Sequence, residues 1–397
     1  MKRIYIVGTG MSRETVTIEG LKAIKSADIL FGASRMLEEF SELGIPSTCE
    51  YKAAEIAKVI AGSSAKTYAV LVSGDTGFYS ATNNLIKAFK DDYEVHILPG
   101  ISSLSYFYSR IGLPWENAVH ISCHGRICNI SDYVRRNHYT FLITGGNLED
   151  ISNQLVNSGF EDITIMYGEN LGMETERIGS TNASSLPYEN LGNLTVLLII
   201  NPASDASTPT GLPDASFVRG DVPMTKSEVR AVIMSKLAIS PDDTFIDIGA
   251  GTGSVTVEAA LSAWRGAVYA IEKNHDGASL IAQNCKNFNI GNVQIITGIA
   301  PDCLDNIPSP DVAFIGGSSG NLLDIVSRLV QMNPKIRIVI SAIAIESVSM
   351  AIAALEHAHI EPEVIQISSS HAKKAGKLHM MLAQNPIYIV SGGICHE

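Results

Sequence analysis

The chain has 397 residues, 46% of them hydrophobic and 18% charged, a composition that excludes disorder and predicts two or three globular domains. The formal net charge is −12, with 16 basic against 24 acidic residues up to Asp214 and 13 against 17 beyond it. Neither half is the basic surface of a nucleic-acid binder, and no apolar run reaches the roughly 18 residues of a membrane span.

In chain order, MKRIYIVGTG turns to glycine after four apolar residues, too short a core for a signal peptide. It predicts a first strand, RIYIV, running into Gly8-Thr-Gly10 and a helix. YAVLV then leads into SGDTGFYS, VHIL into PGISS, and a third apolar stretch into HISCHGR. YTFLIT and ITIM are further strands, and LTVLLII closes the first half. Asn201–Asp214, rich in Pro, Ser, Thr and Asp, is a flexible linker by composition. A helix is predicted from Thr225, its N-cap, with Glu228 completing a capping box and Val229, Val232, Ile233 and Leu237 forming the apolar stripe. The strands TFIDI, AVYAIE, VQIIT, DVAFIG and IRIVISA follow. Alternation of β-branched runs with amphipathic stretches predicts two α/β domains with largely parallel sheets, over residues 1–203 and 215–397, joined by 204–214.

Cys49, Cys123, Cys128, Cys285, Cys303 and Cys395 make no CxxC and fit the reduced thiols of a cytoplasmic protein. Cys123, His124 and Cys128 lie close in sequence but lack a fourth ligand, so no metal is expected.

The strongest local pattern is FIDIGAGTGSVTVEAA. A strand runs into Gly249, Gly251 and Gly253, and a helix starts near Ser254. Such a loop lets backbone approach a ligand, and the helix N-terminus offers free N–H groups to an anion. The spacing is GxGxG rather than the GxGxxG of a pyrophosphate site, which favours the carboxylate of a methionine. Glu272 ends the next strand, 19 residues after Gly253, where a carboxylate can accept hydrogen bonds from ribose hydroxyls.

With PMTKSEVR, AIEKN, GIAPDCL, FIGGSSGNL and NPIYIVSGG, this pattern resembles the class I S-adenosylmethionine methyltransferases. More narrowly it is similar to the cobalamin-pathway enzymes that methylate C15 of precorrin-6B and decarboxylate it. The resemblance covers Phe217–Glu397 and implies a Rossmann-like fold. It implies a cofactor site at Thr225, Gly249, Ala250, Gly251, Thr252, Gly253, Glu272 and Ala300, with Gly316, Gly317 and Ser318 facing substrate. Ser341 stands where that family has Asn or Thr.

SGDTGFYS and PGISS, with the Gly8–Arg13 loop, resemble the class III tetrapyrrole methylases, in their precorrin C5-methyltransferase branch, over Met1–Pro202. This implies a two-subdomain fold with S-adenosylmethionine held at Gly74, Asp75, Phe78, Ser102 and Ser103. Gly8, Gly10 and Arg126 would lie nearer the macrocycle. The family's GxGPGD is replaced here by Gly8-Thr-Gly10-Met11-Ser12-Arg13.

Taken together the resemblances imply two S-adenosylmethionine sites and a homo-oligomeric cytoplasmic enzyme. It would methylate precorrin-6B, or its cobalt counterpart, at C5 and C15 and remove the ring C acetate as CO2, giving precorrin-8X. No catalytic side chain is assigned. The substrate carries many carboxylates, and the basic candidates to meet them are Arg110, Arg126, Arg219, Lys226, Arg230, Lys373, Lys374 and Lys377. Two other readings are an RNA methyltransferase and a non-catalytic S-adenosylmethionine sensor. The acidic balance of both halves argues against RNA.

Overall fold

The computed structural model describes residues 2–124 and 128–393. Packing divides the chain into two units, one gathering 1–128, 138–151 and 163–201, the other 129–137, 152–162 and the chain from Pro202 onward.

The first unit has two sheets. Strands β1 (Arg3–Gly8), β2 (Ile29–Gly32), β3 (Ser47–Cys49), β4 (Thr67–Val72) and β5 (Glu94–Leu98) form a parallel sheet of order β3-β2-β4-β1-β5. The inner strands β2, β4 and β1 are near-continuous apolar runs because both faces are covered. Ile4 and Ile6 pack with Phe31, Ile56 and Phe89 on one side, whereas Val7 packs with Ile24, Leu30 and Leu37 on the other. The second sheet takes β6 (Ala118–Ser122), β7 (Tyr139–Ile143), β8 (Thr164–Glu169), β9 (Arg177–Asn182) and β10 (Thr195–Ile200), in the order β6-β7-β10-β8-β9. Here the expectation of a largely parallel sheet fails. Only β6 and β7 are parallel; β10 runs against both β7 and β8, and β9 against β8. The connection 170–176 between β8 and β9 is too short for the crossover that a parallel pair needs.

In the second unit β11 (Thr244–Ile248), β12 (Ala267–Glu272), β13 (Val293–Thr297), β14 (Val312–Ile315), β15 (Arg337–Ala342), β16 (Glu363–Ile367) and β19 (Ile387–Gly392) form one sheet. Its order is β13-β12-β11-β14-β15-β19-β16, with only β19 antiparallel to its neighbours. The chain steps outward from β11 to β13 and then returns to the other side of β11, so the strand order reverses between β11 and β14. Ligands of open α/β sheets bind outside the carboxyl ends of the strands at such a point. β17 (Ser370–Ala375) and β18 (Leu378–Ala383) form a separate exposed hairpin.

Two local expectations are corrected. The helix starts at Ser227, with Lys226 as its N-cap and no side-chain capping bond, so Thr225 is not the cap. The Thr225 carbonyl instead accepts from Arg230 Nη1 at 2.6 Å. The predicted apolar stripe holds, with Val229, Ile233 and Leu237 buried. The Asn201–Asp214 stretch lacks regular structure before Asp214–Ser216, yet it is anchored. Asp205 and Arg135 exchange hydrogen bonds, and the Gly211 and Leu212 N–H groups donate to Glu258. The five described cysteines are free thiols, and no described helix is long and apolar enough to cross a membrane.

Candidate active site

In the second unit a cavity of about 1320 Å³ opens at the carboxyl ends of β11, β12 and β14. Gly249 ends the first of these with φ +74°, and its N–H and that of Ala250 both donate to the Ile271 carbonyl. A Cβ on Gly249 would lie 2.8 Å from the backbone N and O of Gly317, so the loops after β11 and β14 can approach this closely only with glycine there. Gly253 precedes the helix Ser254–Ser262, whose first-turn N–H groups have no intrahelical acceptor.

Of the residues assigned to this site, Thr225, Gly249, Ala250, Gly251, Glu272, Ala300, Gly316, Gly317 and Ser318 line the cavity. Thr252 and Gly253 do not; Thr252 is buried, and its carbonyl accepts from Asn284 Nδ2 at 2.8 Å. Glu272 is 8% exposed and does more than face the cavity. Its Oε2 accepts from the Gly251 N–H at 2.8 Å and its Oε1 from the Asn274 N–H at 2.9 Å, so the carboxylate also holds the glycine loop in place.

Sequence reasoning missed the far wall, where the apolar Ile343, Met350 and Ile367 stand with the polar Ser369, Gln384 and Asn385. These residues carry no pattern a loop motif would reveal. Missed too was Lys273, which borders the cavity and donates to Ser319 Oγ at 3.1 Å. Arg230, expected to meet substrate, is fully buried against Glu258. Its neighbour Lys226 lines the cavity with Asp214 3.5 Å away. Arg219 is exposed and outside the lining, and Lys373, Lys374 and Lys377 stand on or at the tip of the exposed hairpin.

Asp247 lies behind the glycine loop, fully buried on β11. Burial pushes its carboxyl up to about 7, with the Glu272 charge adding to the effect and the hydrogen bond from Thr256 Oγ1, 2.6 Å from Oδ2, opposing it. An acid whose pKa is raised on folding favours the folded state while protonated. That contribution is complete below the unfolded value near 4 and is lost as pH rises through about 7. The resistance of the second unit to denaturant should therefore fall as pH rises over that interval, and Asp247→Asn should flatten the profile. An unchanged profile in the variant would assign the slope to another group.

In the first unit three strand ends converge on glycine. A Cβ on Gly8 would lie 2.6 Å from the Gly100 nitrogen, and one on Gly100 would lie 2.2 Å from the Gly74 oxygen. Gly10 and Gly74 exchange two backbone hydrogen bonds, of 3.1 and 2.9 Å. Asp75 ties the same junction: Oδ1 accepts from the Gly77 N–H at 2.8 Å and Oδ2 from the Gly100 N–H at 3.0 Å. Ser102 caps the helix Ser103–Ile111 by accepting from the Ser105 N–H. Gly8, Gly10, Gly74, Asp75, Ser102 and Ser103 therefore share one edge of the parallel sheet. Phe78 packs towards Phe141 and the Leu104–Phe107 core. Arg110 is paired with Glu176 at 3.0 Å, and Arg126 lies outside the described residues. Cys123 is buried and Cys128 half-buried, and burial holds the Cys123 thiol well above its usual range. Among the described residues no group of three or more His, Cys, Asp or Glu is placed to hold a metal.

Comparison with known proteins identifies the chain as a methyltransferase. Residues 3–187 match the family described as tetrapyrrole (corrin/porphyrin) methylases, and residues 214–392 the one described as precorrin methyltransferase domain. A probable cobalt-precorrin-6B C(15)-methyltransferase (decarboxylating) from Sulfurisphaera tokodaii is 40% identical over 185 residues, 46% of this chain and 96% of that one. Its counterpart from Pyrobaculum calidifontis is 37% identical over 188 residues, 47% of this chain and 96% of its own. The crystal structure of precorrin-6Y C5,15-methyltransferase from Geobacter metallireducens is 33% identical, with a TM-score of 0.45 over 47% of this chain and 97% of that one. The chain belongs to the precorrin methyltransferase family of cobalamin biosynthesis, with a tetrapyrrole methylase domain ahead of the precorrin methyltransferase domain.

Proposed function

We propose that the chain methylates a corrin precursor twice, at C5 in the first unit and at C15 in the second, where the ring C acetate is also lost as CO2. The substrate is precorrin-6B or its cobalt counterpart and the product precorrin-8X. The observation that carries this reading is the presence of a separate glycine-built strand edge in each unit. Neither matched family description names RNA.

The residues present fit S-adenosylmethionine at both edges. In the second unit the bent Gly249–Gly253 backbone and the helix behind it suit a carboxylate, Glu272 suits ribose hydroxyls, and Thr225 and Ala300 complete the wall. Gly316, Gly317 and Ser318 then meet the macrocycle. In the first unit Gly74, Asp75, Phe78, Ser102 and Ser103 hold the donor, while Gly8 and Gly10 face the macrocycle. When bound, S-adenosylmethionine would supply an electrophilic methyl group to the nucleophilic meso carbon and leave as S-adenosylhomocysteine, with the displaced meso proton released. The protein's part is in-line positioning, worth roughly 7–11 kcal/mol, so neither unit needs a catalytic triad.

The test is mass spectrometry of products from the full chain and from Glu272→Gln. The amide presents a donor where both carboxylate oxygens now accept backbone N–H groups, and donor affinity in the second unit should fall by about 1–3 kcal/mol. The variant should accumulate C5-methylated, non-decarboxylated product. Equal loss of both methylations would remove Glu272 from this role.

Homo-oligomerisation is part of the same reading. On the hairpin Leu378, Met380, Met381 and Leu382 are 73%, 58%, 64% and 48% exposed. A two-stranded ribbon is marginal alone, and both its edges are free to pair with a second copy. Sedimentation should give an oligomer for the wild type and monomer for Met380→Lys/Leu382→Lys; a monomeric wild type would refute it. The free thiols of the five described cysteines suit a cytoplasmic location, which is part of the same reading.

A further inference from the structure

Arg35 follows the carboxyl end of β2, on the short helix Ser34–Glu38. Its Nη2 donates to Ser73 Oγ at 3.2 Å, and Ser73 is the first residue beyond β4. The next residue, Gly74, makes the two-bond bridge to Gly10 in the Gly8–Arg13 loop. A half-buried guanidinium is thus fixed on the carboxyl edge of β2, β4 and β1, beside the loop that the proposed function turns towards the macrocycle.

The surrounding charges compensate it only in part. Arg13, on the same loop, is consumed by an ion pair with Glu42. Burial holds the Glu39 carboxyl, one helical turn beyond Arg35, above its usual range and outweighs the opposing pull of the Arg35 charge, and the two form no ion pair among the described residues. Asp75 has both oxygens occupied by backbone N–H groups. Arg35 carries five donors in a planar fork, of which one goes to Ser73. A neutral hydroxyl fixes the fork without neutralising it, and a planar fork of this kind pairs with carboxylate oxygens two at a time.

We propose that Arg35, oriented by Ser73, is the carboxylate receptor of the first unit and binds an acetate or propionate side chain of the macrocycle. The proposal rests on the C5-methylation reading. The methionine part of the donor carries a carboxylate too, and the measurements separate the two sources. In the full chain, Arg35→Gln should raise KM for the macrocycle in C5 methylation by roughly tenfold or more, the size of a charge-assisted hydrogen bond. The donor dissociation constant of the first unit should stay unchanged. That unchanged donor affinity of the first unit reports that the unit carrying the variant is folded, and C15 methylation in the same samples reports the second unit. Arg35→Lys should recover part of the loss as a point charge, and Ser73→Ala should raise KM less than Arg35→Gln. Raising ionic strength should increase the wild-type KM and have little effect on Arg35→Gln. A wild type that methylates C5 while Arg35→Gln keeps its KM overturns the proposal alone. Weakened donor binding with an unchanged macrocycle KM overturns it as well. A wild type that yields no C5-methylated product overturns the underlying reading and the proposal together.

Discussion

Gly249→Ala should reduce methyl transfer by the second unit at least a hundredfold and leave the first unit's rate unchanged. The residue has φ +74°, where an L side chain costs roughly 1–2 kcal/mol. The added methyl would also fall 2.8 Å from the Gly317 backbone N and O and 3.0 Å from its Cα. These are backbone atoms, so no side chain can swing aside and the two loops must part. Both loops line the cavity, and parting them displaces donor and acceptor relative to each other. A misplacement of about 1 Å can cost about a hundredfold in rate. A Cβ at Gly317 itself would meet nothing within 4 Å, so the clash belongs to position 249. Single-turnover rates and donor calorimetry on Gly249→Ala check the prediction. A Gly249→Ala rate within a few-fold of wild type would mean that the loops do not set the reaction geometry.

The contrast between these two glycines shows where sequence reading stops. The GxGxG spacing, the strand before it and Glu272 at the next strand end were legible because they are local: a turn, a period and a helix start. The parallel sheets followed from apolar runs separated by amphipathic stretches. That Gly249 meets Gly317, nearly seventy residues away, follows only from β11 and β14 lying side by side. The Glu272 bond to the Gly251 N–H is hidden for the same reason, and so is Arg230, whose charge reads as surface until its partners appear. Thr225 misled because its local capping signal was outcompeted by Arg230 for its carbonyl. Nothing in the sequence marks the helix Ile130–Arg136 of the first half as part of the second unit. Ser131 and Asp132 are in fact fully buried in the second unit, and burial lifts the Asp132 carboxyl to about 6.

Glu258→Ala should destabilise the second unit by about 3–5 kcal/mol, the cost of leaving a buried charge without its partner. Glu258 and Arg230 are both fully buried and in direct contact. The carboxylate also accepts from the Gly211 and Leu212 N–H groups, at 2.8 and 2.9 Å. The guanidinium donates to the Leu212 and Thr225 carbonyls and lies 4.7 Å from the Phe217 ring centre. Together they fasten the segment 211–225 to the helices Ser227–Leu237 and Ser254–Ser262. The end of that segment, Val222–Thr225, is a wall of the cavity. Stability and donor binding should therefore separate in the double variant Arg230→Met/Glu258→Leu. Replacing a buried ion pair by apolar side chains of similar size often restores stability, so unfolding should recover much of the loss. The Gly211 and Leu212 N–H groups and the Thr225 carbonyl would still lack their partners, so the wall should stay loose and donor affinity low. Trp264 fluorescence in a Trp115→Phe background follows unfolding of the second unit alone, since these are the chain's two tryptophans. Donor calorimetry on the same samples supplies the other arm. A double variant that is stable and binds donor normally would show that the pair serves folding and not the cavity wall. A Glu258→Ala loss below about 1 kcal/mol would show that water reaches the guanidinium despite its burial.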